Sequence, residues 1–314
     1  MTLSFARVEE AARAIDPVFL GSPQYVCEPL AERLGVSLTL KVETANPVRC
    51  FKGRGASYCV SLLEGDGAVV CASAGNFGQA MAYACRARGR RLIVFAGVTA
   101  NPLKIERMRA LGAEVRLAGE DFDAAKVQAR RYAGAAGLRF VEDGLEAATA
   151  EGAGTMGMEL SGAGLDAVLV PLGNGALLGG VGLALRTLAP GVRVVAVQAA
   201  GAAAMTESLR SGRVVCHAEM RTIADGIGVR IPIPEALAYL QGLVDDFLLV
   251  GEDSIVAGMR EIHRHAGLVV EPSGAVGVAA LLENPEMFRG QRVGTILCGG
   301  NLTGEQMREW LGLG

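Results

Sequence analysis

The feature that most constrains this fold is an alternation of short apolar strands and helices between residues 68 and 141. Strands are predicted where β-branched and other apolar residues run together, at 68–72, 92–96, 113–117 and 138–141. Helices are predicted between them, at 77–88, 102–111 and 122–133. Because parallel strands are joined by crossover helices, the pattern predicts βαβ units and a parallel sheet.

The same alternation resumes after residue 142. Strands are predicted at 167–170, 192–197, 247–250 and 293–297, with helices at 147–160, after the glycine-rich stretch 171–180 up to 188, at 253–266 and after 271–275. An N-terminal segment of two helices joined by a turn precedes a strand at 38–42, and residues 199–240 are predicted to be helical and irregular. No low-complexity linker separates the halves. We expect two α/β lobes, a large one of residues 1–45 and 143–314 and a small, mobile one of residues 46–142.

Composition limits the classes of partner. The 314 residues are 51% hydrophobic, carry a net charge of −3 and contain no basic block, so a small-molecule partner is expected and nucleic acid is not. Seven cysteines without a C-x-x-C pair indicate reduced thiols and a cytoplasmic protein. No apolar run approaches about 18 residues, so no membrane span is expected.

A lysine stands at an unusual place in the segment KVETANPVRCFKGRGAS, residues 41–57. Lys52 lies between Phe51 and a Gly-x-Gly, where a strand gives way to a helix. Taken alone it could be an ordinary solvated lysine. The other glycine-rich stretches argue against that interpretation.

Three loops at predicted strand ends offer binding groups. Residues 173–177 join a buried strand to a helix, so their N–H groups suit a monophosphate, although a plain tight turn is equally compatible. Residues 73–76 (Ser-Ala-Gly-Asn) suit a carboxylate. Cys298, after the last strand, is either a small core residue or a ligand contact.

Other motifs are rejected. Residues 173–180 lack both the Lys-Ser/Thr of a P-loop and the third glycine of a dinucleotide loop. Residues 152–157 match G-x-G-x-x-G but follow a helical segment, so they are not a nucleotide site. His263 and His265 are two apart on a helix and do not face each other as metal ligands would. Without a Ser/His/Asp set, lysine or carboxylates must transfer protons. A lysine, an anion cradle and a carboxylate loop together suit pyridoxal phosphate.

Six segments in order give a family resemblance. They are the Lys52 motif (residues 50–56), Ser73–Asn76, the glycine loop (173–177), Thr222–Gly226, Glu271–Ala275 and Cys298–Asn301. With them the chain resembles the fold type II pyridoxal-phosphate enzymes, in the branch of serine/threonine dehydratases and serine racemase. The resemblance implies a tryptophan synthase β-like α/β fold, with two three-layer lobes, parallel sheets and the active site between them.

The resemblance also implies roles for particular residues. Lys52 would be the catalytic lysine that holds pyridoxal 5'-phosphate, with Phe51 as a wall, Asn76 on the ring hydroxyl and Cys298 facing the ring nitrogen. The phosphate would lie on Gly173, Asn174, Gly175, Ala176 and Leu177, and the substrate on Ser73, Ala74, Gly75, Asn76 and Phe77. Gly53 and Gly55 would let the helix start close to the ring. A homodimer is also implied.

The implied activity is an ammonia-lyase that eliminates water from a 3-hydroxy-amino acid such as L-threonine or L-serine. A neutral Cys298 thiol would make the cofactor a weak electron sink, which suits elimination. The alternatives are β-replacement, as in cysteine or diaminopropionate synthesis, and a non-catalytic binding protein.

Departures from the family pattern narrow these expectations. Racemisation is disfavoured because Ala74 stands where racemases of the family have a serine base. Residues 198–204 lack the carboxylates of the family's metal site, so no metal is expected. Cys50 and Phe77 also depart from the pattern and are expected near the substrate.

Overall fold

The computed structural model describes residues 2–313 and contains two β-sheets covered by helices. Within these residues the strands are β1 Gln24–Val26, β2 Ser37–Val42, β3 Val69–Ala72, β4 Leu92–Ala96, β5 Glu114–Leu117, β6 Arg139–Val141, β7 Ala167–Pro171, β8 Arg193–Ala199, β9 Asp246–Val250 and β10 Arg292–Leu297. The helices are α1 Phe5–Ala14, α2 Glu28–Leu34, α3 Lys52–Ser61, α4 Asn76–Ala87, α5 Pro102–Ala110, α6 Phe122–Ala136, α7 Ala147–Ser161, α8 Ala176–Leu188, α9 Ala204–Ser211, α10 Pro234–Leu240, α11 Glu252–Ala266, α12 Pro272–Glu283, α13 Pro285–Phe288 and α14 Gly304–Leu311.

The strands form a six-stranded and a four-stranded sheet. The larger has the order β1-β2-β10-β7-β8-β9, and the smaller has the order β5-β4-β3-β6. All pairings are parallel except that of β1 with β2. The α/β fold class predicted from the alternation is therefore confirmed. The division into a large and a small, mobile lobe stays a prediction.

The sequence reasoning missed an edge strand and two short helices, α13 and α14. The sequence predicted two helices joined by a turn at 21–23 before residue 35, but residues 24–26, which follow the turn, pair as an antiparallel edge strand with residues 39–41. Three residues carry too little pattern to predict a strand, and their partner alone decides it. Helix α14 begins with a capping box between Thr303 and Gln306, a Thr-x-x-Gln signal that was visible in the sequence.

Small residues let three central helices approach closely. The stretch 152–157, rejected above as a nucleotide loop, lies inside α7, where glycines face α3 and α8. A Cβ added to Gly152 would lie 2.7 Å from Gly55 Cα, and one added to Gly180 would lie 1.9 Å from the Ala150 carbonyl oxygen. The spacing of these glycines therefore reflects helix packing.

The two glycines beside Lys52, Gly53 and Gly55, also allow close helix packing. This corrects the expectation that they let the helix start close to a bound ring. A Cβ on Gly53 would lie 2.2 Å from the Phe19 ring, and one on Gly55 would lie 2.5 Å from the Thr149 carbonyl oxygen. Both point away from the lysine's cavity, into the packing of α3 against its neighbours.

A buried ionic cluster fixes the first turn of α3. Arg54 is fully buried and donates to Glu43 (3.0 and 2.8 Å), to Glu159 (2.6 and 2.9 Å) and to the Thr155 hydroxyl (3.0 Å). Lys41 of β2 also contacts Glu159. Because Glu43 follows β2 and Glu159 lies on α7, the guanidinium ties α3 to the larger sheet.

We predict opposite effects from two glycine-to-alanine substitutions. Gly180→Ala must displace the backbone of α7, so we expect it to lower the free energy of unfolding by about 2 kcal/mol or more. Gly134→Ala lies in the helical interior of α6 with no atom within 4 Å of the new Cβ. It should raise stability by about 0.5–1 kcal/mol. Urea denaturation measures both, and equal effects would contradict the packing argument.

Candidate active site

A cavity of about 730 Å³ lies where the carboxyl ends of the parallel strands of both sheets face each other. Its walls come from the loops after β3, β6, β7 and β10, together with the start of α3. Parallel sheets leave their strand ends free for ligands at this edge. The cavity is therefore lined by the loops in which the sequence predicted binding residues.

Lys52 begins α3 and directs its amine into this cavity. Its Nζ lies 2.6 Å from Asp143 Oδ2, 5.0 Å from the centre of the Phe51 ring and 5.9 Å from that of Phe77. The Phe51 N–H donates to the Cys298 carbonyl at 2.9 Å, which fixes the start of the helix against the end of β10. A lysine held by packing and a carboxylate in a cavity wall has a defined position for chemistry.

The loop after β7 forms an anion cradle. Gly175 adopts φ +100°, a left-handed conformation that favours glycine, and α8 starts at the next residue. Asn174 Oδ1 accepts from Ala176 N at 3.2 Å, while the first turn of any helix leaves N–H groups without intrahelical acceptors. These groups and the helix dipole suit a phosphate, as predicted for residues 173–177.

The loop after β3 places Asn76 in a chain of buried amides and a carboxylate. Ser73 Oγ accepts from the N–H groups of Gly75 (3.1 Å) and Gly78 (2.9 Å), which shapes the start of α4. Asn76 Nδ2 donates to Glu271 Oε1 at 2.7 Å, and its Oδ1 accepts from Asn301 Nδ2 at 2.8 Å. The Asn301 N–H in turn donates to Glu271 Oε2 at 3.2 Å. The network fixes the direction of the Asn76 amide.

Burial raises the pKa of two groups in the part of the cavity wall around Asn76. Desolvation raises the pKa of the Glu271 carboxyl from 4.5 to about 6, helped by the negative charge of Asp225. Desolvation also raises the pKa of the Cys298 thiol well above its usual value, with Glu271 adding to the effect. Cys298 is therefore a neutral thiol at neutral pH.

The structure brings nearly all the predicted site residues together. The cavity is lined by Phe51, Lys52, Ser73, Ala74, Gly75, Asn76, Phe77, Gly173, Asn174, Gly175, Leu177 and Cys298. Ala176 is buried behind the loop and does not line it. Cys50, expected near the substrate, is fully buried and lies outside the lining, so that expectation was wrong. Its backbone pairs with Gly299, which directs the side chain to the core.

Several charged residues of the cavity were missed. Asp143 is the second residue after β6, so the rule that strand ends carry ligand groups could have found it. Lys104 of α5 contacts Asp225 at 2.7 Å, and Arg230 contacts Asp123 of α6. Both pairs join residues far apart in the chain, and no local pattern marks such partners.

These residues fit one kind of cofactor. A lysine amine, a glycine cradle with a left-handed residue, and a buried neutral thiol line one cavity. They define the class of enzymes in which a lysine binds a phosphorylated aldehyde cofactor. Lys52 would supply the amine and the loop after β7 would supply the anion site that pyridoxal phosphate requires.

Comparison with known proteins identifies the family. The sequence pattern of the family described as pyridoxal-phosphate dependent enzyme matches residues 15–299. The chain belongs to this family, and its cofactor is pyridoxal phosphate.

Individual relatives agree with this assignment. A crystal structure of threonine deaminase from T.th. superposes with a TM-score of 0.91 at 31% identity, covering 96% of this chain and 99% of that one. The structure of maize serine racemase gives a TM-score of 0.92 at 26% identity, covering 98% and 97%. Both confirm the fold type II architecture.

A longer relative matches over part of its length. Threonine dehydratase 2 of Solanum lycopersicum, a biosynthetic chloroplastic protein, is 33% identical over 306 residues. The match covers 94% of this chain and 51% of the plant protein. The chain thus spans about half the length of that relative.

Two kinds of feature are absent from residues 2–313. No helix in this range is both long and apolar enough to cross a membrane. In the same part of the chain, no group of three or more His, Cys, Asp or Glu side chains is arranged to hold a metal ion.

We predict a pH-dependent stability that originates at Glu271. In the folded protein the Glu271 carboxyl keeps its proton up to about pH 6, whereas an ordinary carboxyl loses its proton near pH 4.5. The folded state therefore binds more protons between these values, and its stability falls as pH rises from about 4.5 to above 6. At about 1.4 kcal/mol per pKa unit the loss is about 2 kcal/mol.

Urea unfolding of the wild type and of Glu271→Gln at pH 4 and pH 7.5 measures this effect. From pH 4 to pH 7.5, we expect the free energy of unfolding of the wild type to fall by about 2 kcal/mol relative to that of Glu271→Gln. A difference independent of pH would refute the assignment.

Proposed function

We propose that this protein is a pyridoxal-phosphate-dependent ammonia-lyase that eliminates water from a 3-hydroxy-amino acid such as L-threonine or L-serine. The products are a 2-oxo acid and ammonia. The observation that carries the proposal is the neutral, buried Cys298 thiol in the cavity of Lys52. The names of the relatives, threonine dehydratase and threonine deaminase, support the same reaction.

The proposed roles follow from the placement of each group. Lys52 would bind the cofactor through its amine, and the loop after β7 would hold the phosphate by its N–H groups. Asn76, fixed by Glu271 and Asn301, has one amide hydrogen left that would be available to the cofactor's ring hydroxyl. Cys298 would be the neutral group beside the ring nitrogen. The turn Ser73–Asn76, with its backbone N–H groups, binds the substrate carboxylate, and Phe77 borders the side-chain pocket.

The chemistry divides between cofactor and protein. The bound cofactor withdraws electrons from Cα and so makes its proton acidic. Cys298, as a neutral thiol, would not stabilise a positive charge on the ring nitrogen, and this would favour loss of the β-substituent over reprotonation of Cα. Lys52, displaced when the amino acid binds, removes the Cα proton. Phe51 and Phe77 shield its amine from water.

We also propose that the chain forms a homodimer in the cytoplasm. The exposed apolar side chains of Val18, Tyr25 and Val26, at and near the antiparallel edge strand, support self-association. All seven cysteines are free, which supports a reducing compartment. Sedimentation equilibrium would measure the oligomeric state.

A substrate panel with a lysine variant tests the reaction. The purified protein should form 2-oxo acid from L-threonine or L-serine without a second substrate. Lys52→Ala should reduce the rate at least about 10³-fold and abolish the absorbance band of lysine-bound cofactor. Lys126→Met, which removes a lysine of the same cavity that pairs with Glu142, should leave both little changed. Product formed only when sulfide or an amine is added would instead favour β-replacement.

The residue Ala74 predicts the absence of racemisation. Its methyl group cannot accept or donate a proton, so L-serine recovered from the wild-type reaction should contain no D-serine. Ala74→Ser introduces a hydroxyl at the position where family racemases carry one, and D-serine should then become detectable by chiral chromatography. Racemisation by the wild type would show that another group protonates Cα.

A further inference from the structure

Asp143 is a carboxylate that the proposed roles leave unused. It lies in the loop between β6 and α7, lines the cavity and contacts Lys52 Nζ through Oδ2 at 2.6 Å. Its other oxygen, Oδ1, is buried without any hydrogen-bond partner. A buried acceptor without a partner is costly, and such atoms in a cavity wall point to a ligand group.

The other acidic side chains of the cavity are engaged elsewhere. Glu271 accepts from Asn76 and from the N–H of Asn301, and Asp225 pairs with Lys104. Glu142, the neighbour of Asp143, pairs with Lys126 at 3.4 Å and Arg130 at 2.5 Å. Asp121 and Asp123 face Arg230. Among the cavity's carboxylates in the described residues, Asp143 is the one that contacts Lys52 and also keeps an oxygen atom without a hydrogen-bond partner.

We propose that Asp143 is a catalytic residue that protonates the departing hydroxyl group. The proposal rests on the ammonia-lyase function above, because it concerns the leaving group of that reaction. To remove the Cα proton, Lys52 Nζ must approach within hydrogen-bond reach of Cα. The β-oxygen lies two bonds from Cα, so a carboxylate in contact with Nζ lies within reach of it.

The protons and electrons balance without another reactant. Lys52 Nζ takes the Cα proton, and the electron pair of the Cα–H bond forms the Cα–Cβ double bond. The electron pair of the Cβ–O bond leaves with the oxygen, which receives a proton from Asp143. Asp143 has first received this proton from Lys52 along their contact, so the Cα proton departs in the water formed. An uncompensated charge is costly away from water. This cost favours direct transfer of the proton from Lys52 Nζ to the Asp143 carboxylate.

Two substrates with the same product separate this role from a positioning role. L-serine and β-chloro-L-alanine both yield pyruvate, but chloride leaves without a proton whereas hydroxide does not. In the Asp143→Asn holoenzyme, kcat with L-serine should fall about 100-fold, the usual contribution of a general acid, while kcat with β-chloro-L-alanine stays within about threefold. Glu142→Gln removes the adjacent carboxylate, which contacts other cations, and should change neither.

The state of the lysine is read independently of activity. The absorbance band of the bound cofactor, and the mass of the Lys52 peptide after borohydride reduction, should be the same in Asp143→Asn and wild type. An equal fall in kcat with both substrates, or no fall with L-serine, would overturn the role of Asp143 as the acid. A wild type that converts β-chloro-L-alanine but neither L-serine nor L-threonine would overturn the proposed function, and this role with it.

Discussion

The position of Lys52 depends on the buried guanidinium two residues after it. Arg54 joins α3 to Glu43 beyond β2 and to Glu159 on α7, and the structure gives it no exposure. Removing one partner of such a cluster leaves a buried charge uncompensated, which typically costs about 3–5 kcal/mol. Because α3 starts at Lys52, the same cluster fixes where the reactive amine enters the cavity. The motif thus combines an ionic anchor with a reactive residue.

The site is built from neutral and charged groups with separate tasks. Burial keeps Cys298 neutral and raises the pKa of Glu271 to about 6, so at neutral pH Glu271 rather than Cys298 carries charge at that wall. Asp143 instead keeps a contact with Lys52, where a proton has to move. Ion pairs such as Lys104–Asp225 join the helices of the smaller sheet to the loops of the larger one across the cavity. In the proposed mechanism, proton transfer takes place on one side of the cavity and the cofactor is fixed on the other.

Much of the fold and of the site was predictable because the signals are local. Strand–helix alternation predicts parallel sheets, and the strand ends of one sheet meet at one edge, so Gly173 and Cys298 were expected together. That Ser73 of the other sheet joins them was implied by the family resemblance alone. Helix packing was not predictable, and Gly53 and Gly55 were therefore assigned to the ring when they face Phe19 and Thr149. Cys50 was misplaced for a similar reason, since its bridge to Gly299 turns the side chain inward.

The sequence by itself determined the order of elements, the family motifs and the lysine for which we propose the chemical role, since each depends on residues close together in the chain. Only the tertiary structure decided what surrounds that lysine. Asp143 is 91 residues from Lys52, and Glu271 is 195 residues from Asn76. Contacts over such separations arise when two sheets bring their strand ends face to face, and no periodicity in the chain encodes them.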